Sequence, residues 1–225
     1  MMTTKNAIDA IESKSKESEP IICIEFPSNS HEDDETIVMK LRDSVVVSSD
    51  EGSLLNYAVM KYSSISSNGS SRKHFTIGKL CSPPAGTSLK IHYGKFGLVS
   101  SCIIPYPRDI IDFLKKTTRF HARFSQYSSI DHDYFDEVGR NKDIFLFNTD
   151  HTILDSLFGS PISDSDLNVL GMLNSSIHII SPDEIRSRPT YMCNTAVRID
   201  KIVKDIYRKI PELAKNIFPD FLDKC

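Results

Sequence analysis

The hydrophobic and polar positions change rhythm once along the chain. From Ile21 to Ile104 the apolar residues come in short runs: Ile21–Phe26, Thr36–Arg42, Val45–Ser48, Leu54–Tyr62, His74–Leu80, Ser88–Tyr93 and Phe96–Ile104. Several alternate with a period of two, as Ile37, Met39 and Leu41 do, and Leu89, Ile91 and Tyr93. That period sends one set of side chains to one face of a pleated strand. Turn residues stand between the runs, at Pro27-Ser28-Asn29-Ser30, Asp50-Glu51-Gly52, Asn68-Gly69, Pro83-Pro84-Ala85-Gly86 and Gly94-Lys95. Strands so punctuated predict an antiparallel sheet, a sandwich or a partly open barrel. Ser63–Ser71, with six Ser in nine residues, predicts an exposed loop.

Behind Pro107 the rhythm becomes helical. Ile110, Phe113, Leu114, Thr117, Phe120 and Phe124 share one face at 100° per residue, and Lys115, Lys116, Arg119 and Arg123 share the opposite one. Asp143–Asn148 and Ile177–Ile180 read as short strands. Ser163-Asp164-Ser165-Asp166 has the form of a helix cap and predicts a helix through Leu173; Ser181-Pro182-Asp183-Glu184 predicts a second, short one. Ala196, Ile199, Ile202, Val203, Ile206 and Ile210 form a stripe that predicts a helix from Thr195 to Lys209. Pro211 then ends that helix or starts another, with Leu213, Ile217 and Phe218 facing inward.

These elements predict an α+β fold, an N-terminal antiparallel, sandwich-like β half packed with a C-terminal helix-rich half. The expected divisions are a disordered tail over residues 1–20, a β-rich part over 21–105, and a helix-rich region with one or two strands over 106–225. The tail is polar and rich in Ser, Lys and Glu, with at most a frayed turn of helix expected around Ala7–Ile11.

Composition narrows the class. The 225 residues are 40% hydrophobic and 25% charged, which excludes collagen-like, disulfide-scaffold and wholly disordered chains. The net charge of −3 argues against a whole-surface nucleic-acid binder and leaves room for a local basic patch. The first 20 residues hold no apolar core of a secretory signal, and no run approaches 18 apolar residues. An intracellular protein without a transmembrane segment is expected. Its five Cys are odd in number, far apart and without a Cys-x-x-Cys pair, so free thiols are expected and no zinc site. No cofactor is expected, because phosphate-loop, dinucleotide, nucleophile-elbow and zinc-protease motifs are missing from the sequence.

Three segments carry candidate chemistry. Asp131-His132-Asp133 with Asp136 and Glu137 meets only the start of a calcium-loop pattern, and a solvated acidic turn is the plainer reading. Residues 107–127 carry five basic residues against Asp109 and Asp112, with Phe120, Phe124 and Tyr127 interleaved. Lys115, Lys116, Arg119 and Arg123 are therefore the candidate binding residues, for an acidic partner, nucleic acid or an anionic membrane surface. A solvated helix face is the alternative.

Ile144–Ser156 reads IFLFNTDHTILDS. This segment resembles the first motif of the haloacid dehalogenase superfamily, an apolar strand followed by Asp-x-Asp-x-Thr. Asn148, Asp150 and Thr152 occupy the three motif positions, and Ile177–Ser181 resembles that family's second motif. The resemblance implies a Rossmann-like core and a degenerate phosphatase or pseudo-enzyme. An Asn amide cannot form an aspartyl-phosphate, so Asn148 removes the covalent step.

The leading expectation is a non-enzymatic protein acting by protein–protein contact or self-association, a profile that a small viral structural or accessory protein would fit. The alternatives are the degenerate phosphatase and a weak RNA or anionic-membrane binder.

Overall fold

The architecture is that of a computed structural model, which describes residues 2–14, 20–26, 35–51, 53–61, 76–77, 84–93, 97–105, 121–124, 141–149, 157–180 and 191–219. The first third carries β1 (Met2–Thr3), α1 (Lys5–Lys14), β2 (Ile21–Phe26), β3 (Glu35–Lys40), the single turn α2 (Leu41–Ser44), β4 (Val45–Ser48) and β5 (Ala58–Met60). Then follow β6 (Thr76–Ile77), β7 (Ser88–Tyr93), β8 (Gly97–Ile104), β9 (His121–Phe124), β10 (Ile144–Thr149), β11 (Pro161–Ser163), β12 (Asn168–Ile180) and β13 (Tyr191–Arg198). Two helices close the described chain, α3 (Ile199–Lys209) and α4 (Pro211–Ile217). The fold is α+β, mostly sheet.

Six strands close on themselves in the order β11-β7-β8-β10-β13-β12, with β12 returning to β11. Every pairing around this barrel is antiparallel. Alternation fills its interior: Leu89 and Ile91, Ile103, Phe145 and Phe147, Ile162, Leu173 and Ala196 form one cluster, joined by Leu157 and Phe158. Closure leaves no edge, so each strand satisfies its backbone on both sides.

The outer wall of the barrel is apolar too. Val169, Met172 and Val197 face away from the interior and pack against Ile199, Ile202, Val203 and Ile206 of α3, together with Val47, Tyr57 and Val59. Val59 lies in a three-stranded sheet ordered β1-β5-β4. Its neighbours Ala58 and Met60 point the other way, into a third cluster with Ile8 of α1 and Leu41. Ile22 and Met39 close that cluster from the β2–β3 ribbon, a two-stranded sheet of its own. Period-two alternation on one short strand, β5, thus joins two cores.

The first half follows the hydrophobic pattern closely. Val45–Ser48 and Ser88–Tyr93 are strands over the expected residues, and Ile21–Phe26 likewise. Leu54–Tyr62 contracts to β5, because Asn56 turns the chain with a φ of 40° just ahead of it. The segment expected to be a disordered tail with at most a frayed turn at Ala7–Ile11 instead holds β1 and a full helix, α1, around that turn: Met2 pairs with Val59, Ile8 is buried, and the Lys5 amide donates to the Asn56 carbonyl. Burial of one helix face against a neighbouring sheet outweighs the polar composition of the segment.

The second half departs further. Asn168–Leu173, expected as helix, lies inside the long strand β12. Asp164 caps a turn rather than a helix: its carboxylate accepts from the amides of Asp166 and Asn168, and the Leu167 amide reaches the Asp164 carbonyl. The strand reads as helical because its register shifts against β11, placing Val169 and Met172 on the outer wall and Leu170 and Leu173 toward the interior, each pair three apart. Residues 195–198, expected to begin a helix, complete β13, and α3 starts only at Ile199. His121–Phe124, the end of the expected basic helix, forms β9 and pairs with Ile177–Ile180. Five strands, β9 to β13, therefore occupy the region expected to be helix-rich, and the barrel draws strands from both halves of the sequence. The helices α3 and α4 are where the apolar stripe and Pro211 predict them, although Ile217 is exposed.

Candidate functional site

The ribbon of β2 and β3 presents the most exposed apolar residues among those described. The register sets Ile21 against Lys40, Ile22 against Met39 and Cys23 against Val38. Alternation then splits the ribbon into two faces. Ile22 and Met39 turn toward Ile8, Leu41, Ala58 and Met60. Ile21, Cys23, Val38 and Lys40 turn to solvent, with Ile21 63% and Val38 62% exposed. The base is anchored where the Leu41 amide donates to the Pro20 carbonyl at 3.0 Å. Among the described residues, β2 and β3 pair with each other and with no third strand. Among the described residues, both ribbon edges lack a strand partner and Ile21 and Val38 are exposed, the features by which one chain adds to another.

Groups that could act chemically lie elsewhere. His92 on β7 shares a 2.7 Å hydrogen bond between its Nε2 and the Ser163 hydroxyl on β11. Burial, followed by the charge of Lys90, holds the imidazole below its ordinary pKa, so it is neutral and could accept the hydroxyl proton. Ser163, however, has no exposed surface, which denies its oxygen to a substrate. The pair acts as a polar tie between neighbouring barrel strands.

A charged cluster joins α3 to the small sheet. Asp205 accepts from the Tyr57 hydroxyl at 2.7 Å, from Arg208 at 2.6 Å and from Lys209 at 3.0 Å. Lys209 also meets Asp50 at 2.9 Å and the Ser48 carbonyl at 2.8 Å. Burial pushes the Asp205 carboxyl up, but the hydrogen bonds from Tyr57 and Lys209 and the charges of Lys209 and Arg208 outweigh it, so its pKa falls below the usual carboxylate value. Burial, then the hydrogen bond to Asp205 and the charges of Asp205 and Asp50, raise the Tyr57 phenol above its ordinary value. Every group here is answered by another, as a structural clamp requires.

A polar layer occupies one part of the barrel wall. Asn194 accepts from Ser176 at 2.5 Å and donates to Thr149 at 3.2 Å, and Ser175 bonds Thr195 at 2.7 Å. Asn56 donates to Asn174 at 2.5 Å and accepts from the Asn6 amide, tying barrel, small sheet and α1 together. Cys193 is buried, which pushes its thiol up to about 12 and leaves it unreactive. Among the described residues no group of three His, Cys, Asp or Glu side chains could hold a metal ion.

The residues singled out in the sequence fall as follows. Lys115, Lys116 and Arg119 lie outside the described residues, and so do Asp150, Thr152, Ser181 and the acids of 131–137. Arg123 stands on β9 opposite His178 of β12. Asn148 is exposed near the end of β10, where its side chain accepts from Cys102 and its carbonyl accepts from the Ser101 hydroxyl. The resemblance to haloacid dehalogenases implies parallel neighbours for this strand; β10 instead runs antiparallel to both β8 and β13. The fold it implies is not the one these strands build. The ribbon face was missed in the sequence as a site, although its signal was present: Ile21, Cys23 and Val38 fall on the face opposite Ile22 and Met39 once the register is known.

No family model matches the chain, and no curated protein matches it. Among solved structures it is similar to the crystal structure of the MamO protease domain from Magnetospirillum magneticum in its apo form, with 12% identity over 91% of this chain and 80% of that one and a TM-score of 0.45. At that TM-score the likeness assigns neither family nor activity to this chain. Among the described residues no helix is long and apolar enough to cross a membrane.

Proposed function

We propose that this protein works without catalysis, by protein–protein contact or assembly, and that the outer face of the β2–β3 ribbon is its contact surface. The observation that carries this reading is the exposure of Ile21 and Val38 on a ribbon whose other face is packed on a core. Water gains from covering such side chains, at about 25 cal/mol for each Å² of apolar surface removed from it. The backing by Ile22 and Met39 holds the face in one shape, so a partner would meet it without first ordering it. The sealed hydroxyl of Ser163 supports the same reading, since among the described residues this pair, a hydroxyl beside an imidazole, keeps its oxygen from a substrate.

The test is light scattering behind size exclusion over a rising concentration series, together with pull-down, on the wild-type chain and on a double variant, Ile21→Lys with Val38→Lys. Association by the wild type that the double variant loses while keeping its melting temperature supports the proposal. A wild-type chain that stays strictly monomeric and captures no partner overturns it, as does association that the double variant retains in full.

A further inference from the structure

We draw no further inference here: the strongest candidate, the open outer face of the β2–β3 ribbon around Ile21, Cys23 and Val38, belongs to the surface on which the proposed function already rests, and nothing in the structure shows what covers it.

Discussion

The barrel and the ribbon are built from the same kind of strand and end in opposite conditions. In the barrel, six strands close in a ring, and the described side chains of β12 and β13 are covered on both faces, Leu173 and Ala196 by Phe145 and Phe147 and their neighbours, Val169, Met172 and Val197 by α3 and the small sheet. In the ribbon, two strands pair, and among the described residues Ile22 and Met39 are packed on one face while Ile21 and Val38 stay exposed on the other. Alternation is the same in both; what differs is the number of layers that tertiary packing lays on each side. A strand buried on both faces is committed to the fold. A strand buried on one face has a surface left over for another molecule.

The difference can be broken most forcefully inside the barrel. Phe147→Ala removes a ring with no exposed surface from the interior cluster and is expected to cost about 3–5 kcal/mol, read as a lower urea midpoint. Gly171→Ala adds a methyl group that would stand 2.6 Å from the Val197 carbonyl oxygen and 2.7 Å from the Phe145 ring. Because one of those contacts is backbone of the adjacent strand, the loss should be about 3 kcal/mol, at the upper end for an overpacked core. A Gly171→Ala chain as stable as wild type would show that the barrel wall yields more easily than its packing implies.

A middle-sized effect lies at the clamp between barrel-side helix and small sheet. Tyr57→Phe removes a hydrogen bond to the ionised Asp205 and should cost about 1.5–3 kcal/mol near neutral pH. The pH dependence has a definite sign. The folded-state pKa of Asp205 is depressed, so its contribution is present above the unfolded carboxylate value and fades as pH falls through the folded value. The raised Tyr57 pKa works on the alkaline side: that stability is intact below the ordinary phenol value and is lost as pH climbs toward the folded one. Chemical denaturation between neutral pH and about pH 3 should find the gap between wild type and Asp205→Asn narrowing as acid is added. A gap that is constant with pH would mean that the carboxylate charge contributes nothing to the clamp.

The ribbon should show the smallest change in stability. Ile21→Lys and Val38→Lys replace exposed residues and are expected to shift unfolding by no more than about 0.5 kcal/mol each, while association is lost. Thiol chemistry sharpens the same contrast without any substitution. Cys23 is exposed on the ribbon and Cys193 is buried in the barrel wall with its thiol pushed up to about 12. Under native conditions, alkylation followed by peptide mass mapping should label Cys23 well before Cys193, and equal labelling would place both thiols in similar surroundings.

How legible each part was follows from how many faces are buried. β2, β4 and β7 were readable over their expected residues, because short apolar runs with turn residues on either side mark strands; β3 was readable except for Leu41 and Arg42, which fold into α2. β12 was readable only over its end, Ile177–Ile180. Over Asn168–Leu173 both walls are apolar, so polar alternation is lost, and the register shift spaces Val169 and Met172 by three, as a helix would. β13 hid for the same reason, its apolar residues running on into the stripe of α3. At β9 the charges alternate with Ala122 and Phe124 as well as they fit a helix face, and the pairing offered by Ile177–Ile180 decided the outcome. The basic stripe therefore loses Arg123 to a strand, whereas Lys115, Lys116 and Arg119 stand outside the described residues.

By itself, the sequence determined the local choices that depend on neighbours a few residues away: most strands of the first half, the amphipathic stripe of α3 and the break at Pro211. The tertiary structure decided everything that depends on distant partners. It closed six strands from both halves into one ring, drew the polar N-terminal segment onto Asn56 and β5, and left Ile21 and Val38 of the ribbon exposed. The reason is one of range. Propensity and period act within a few residues, whereas the burial of a second face requires chain that is tens or hundreds of residues away.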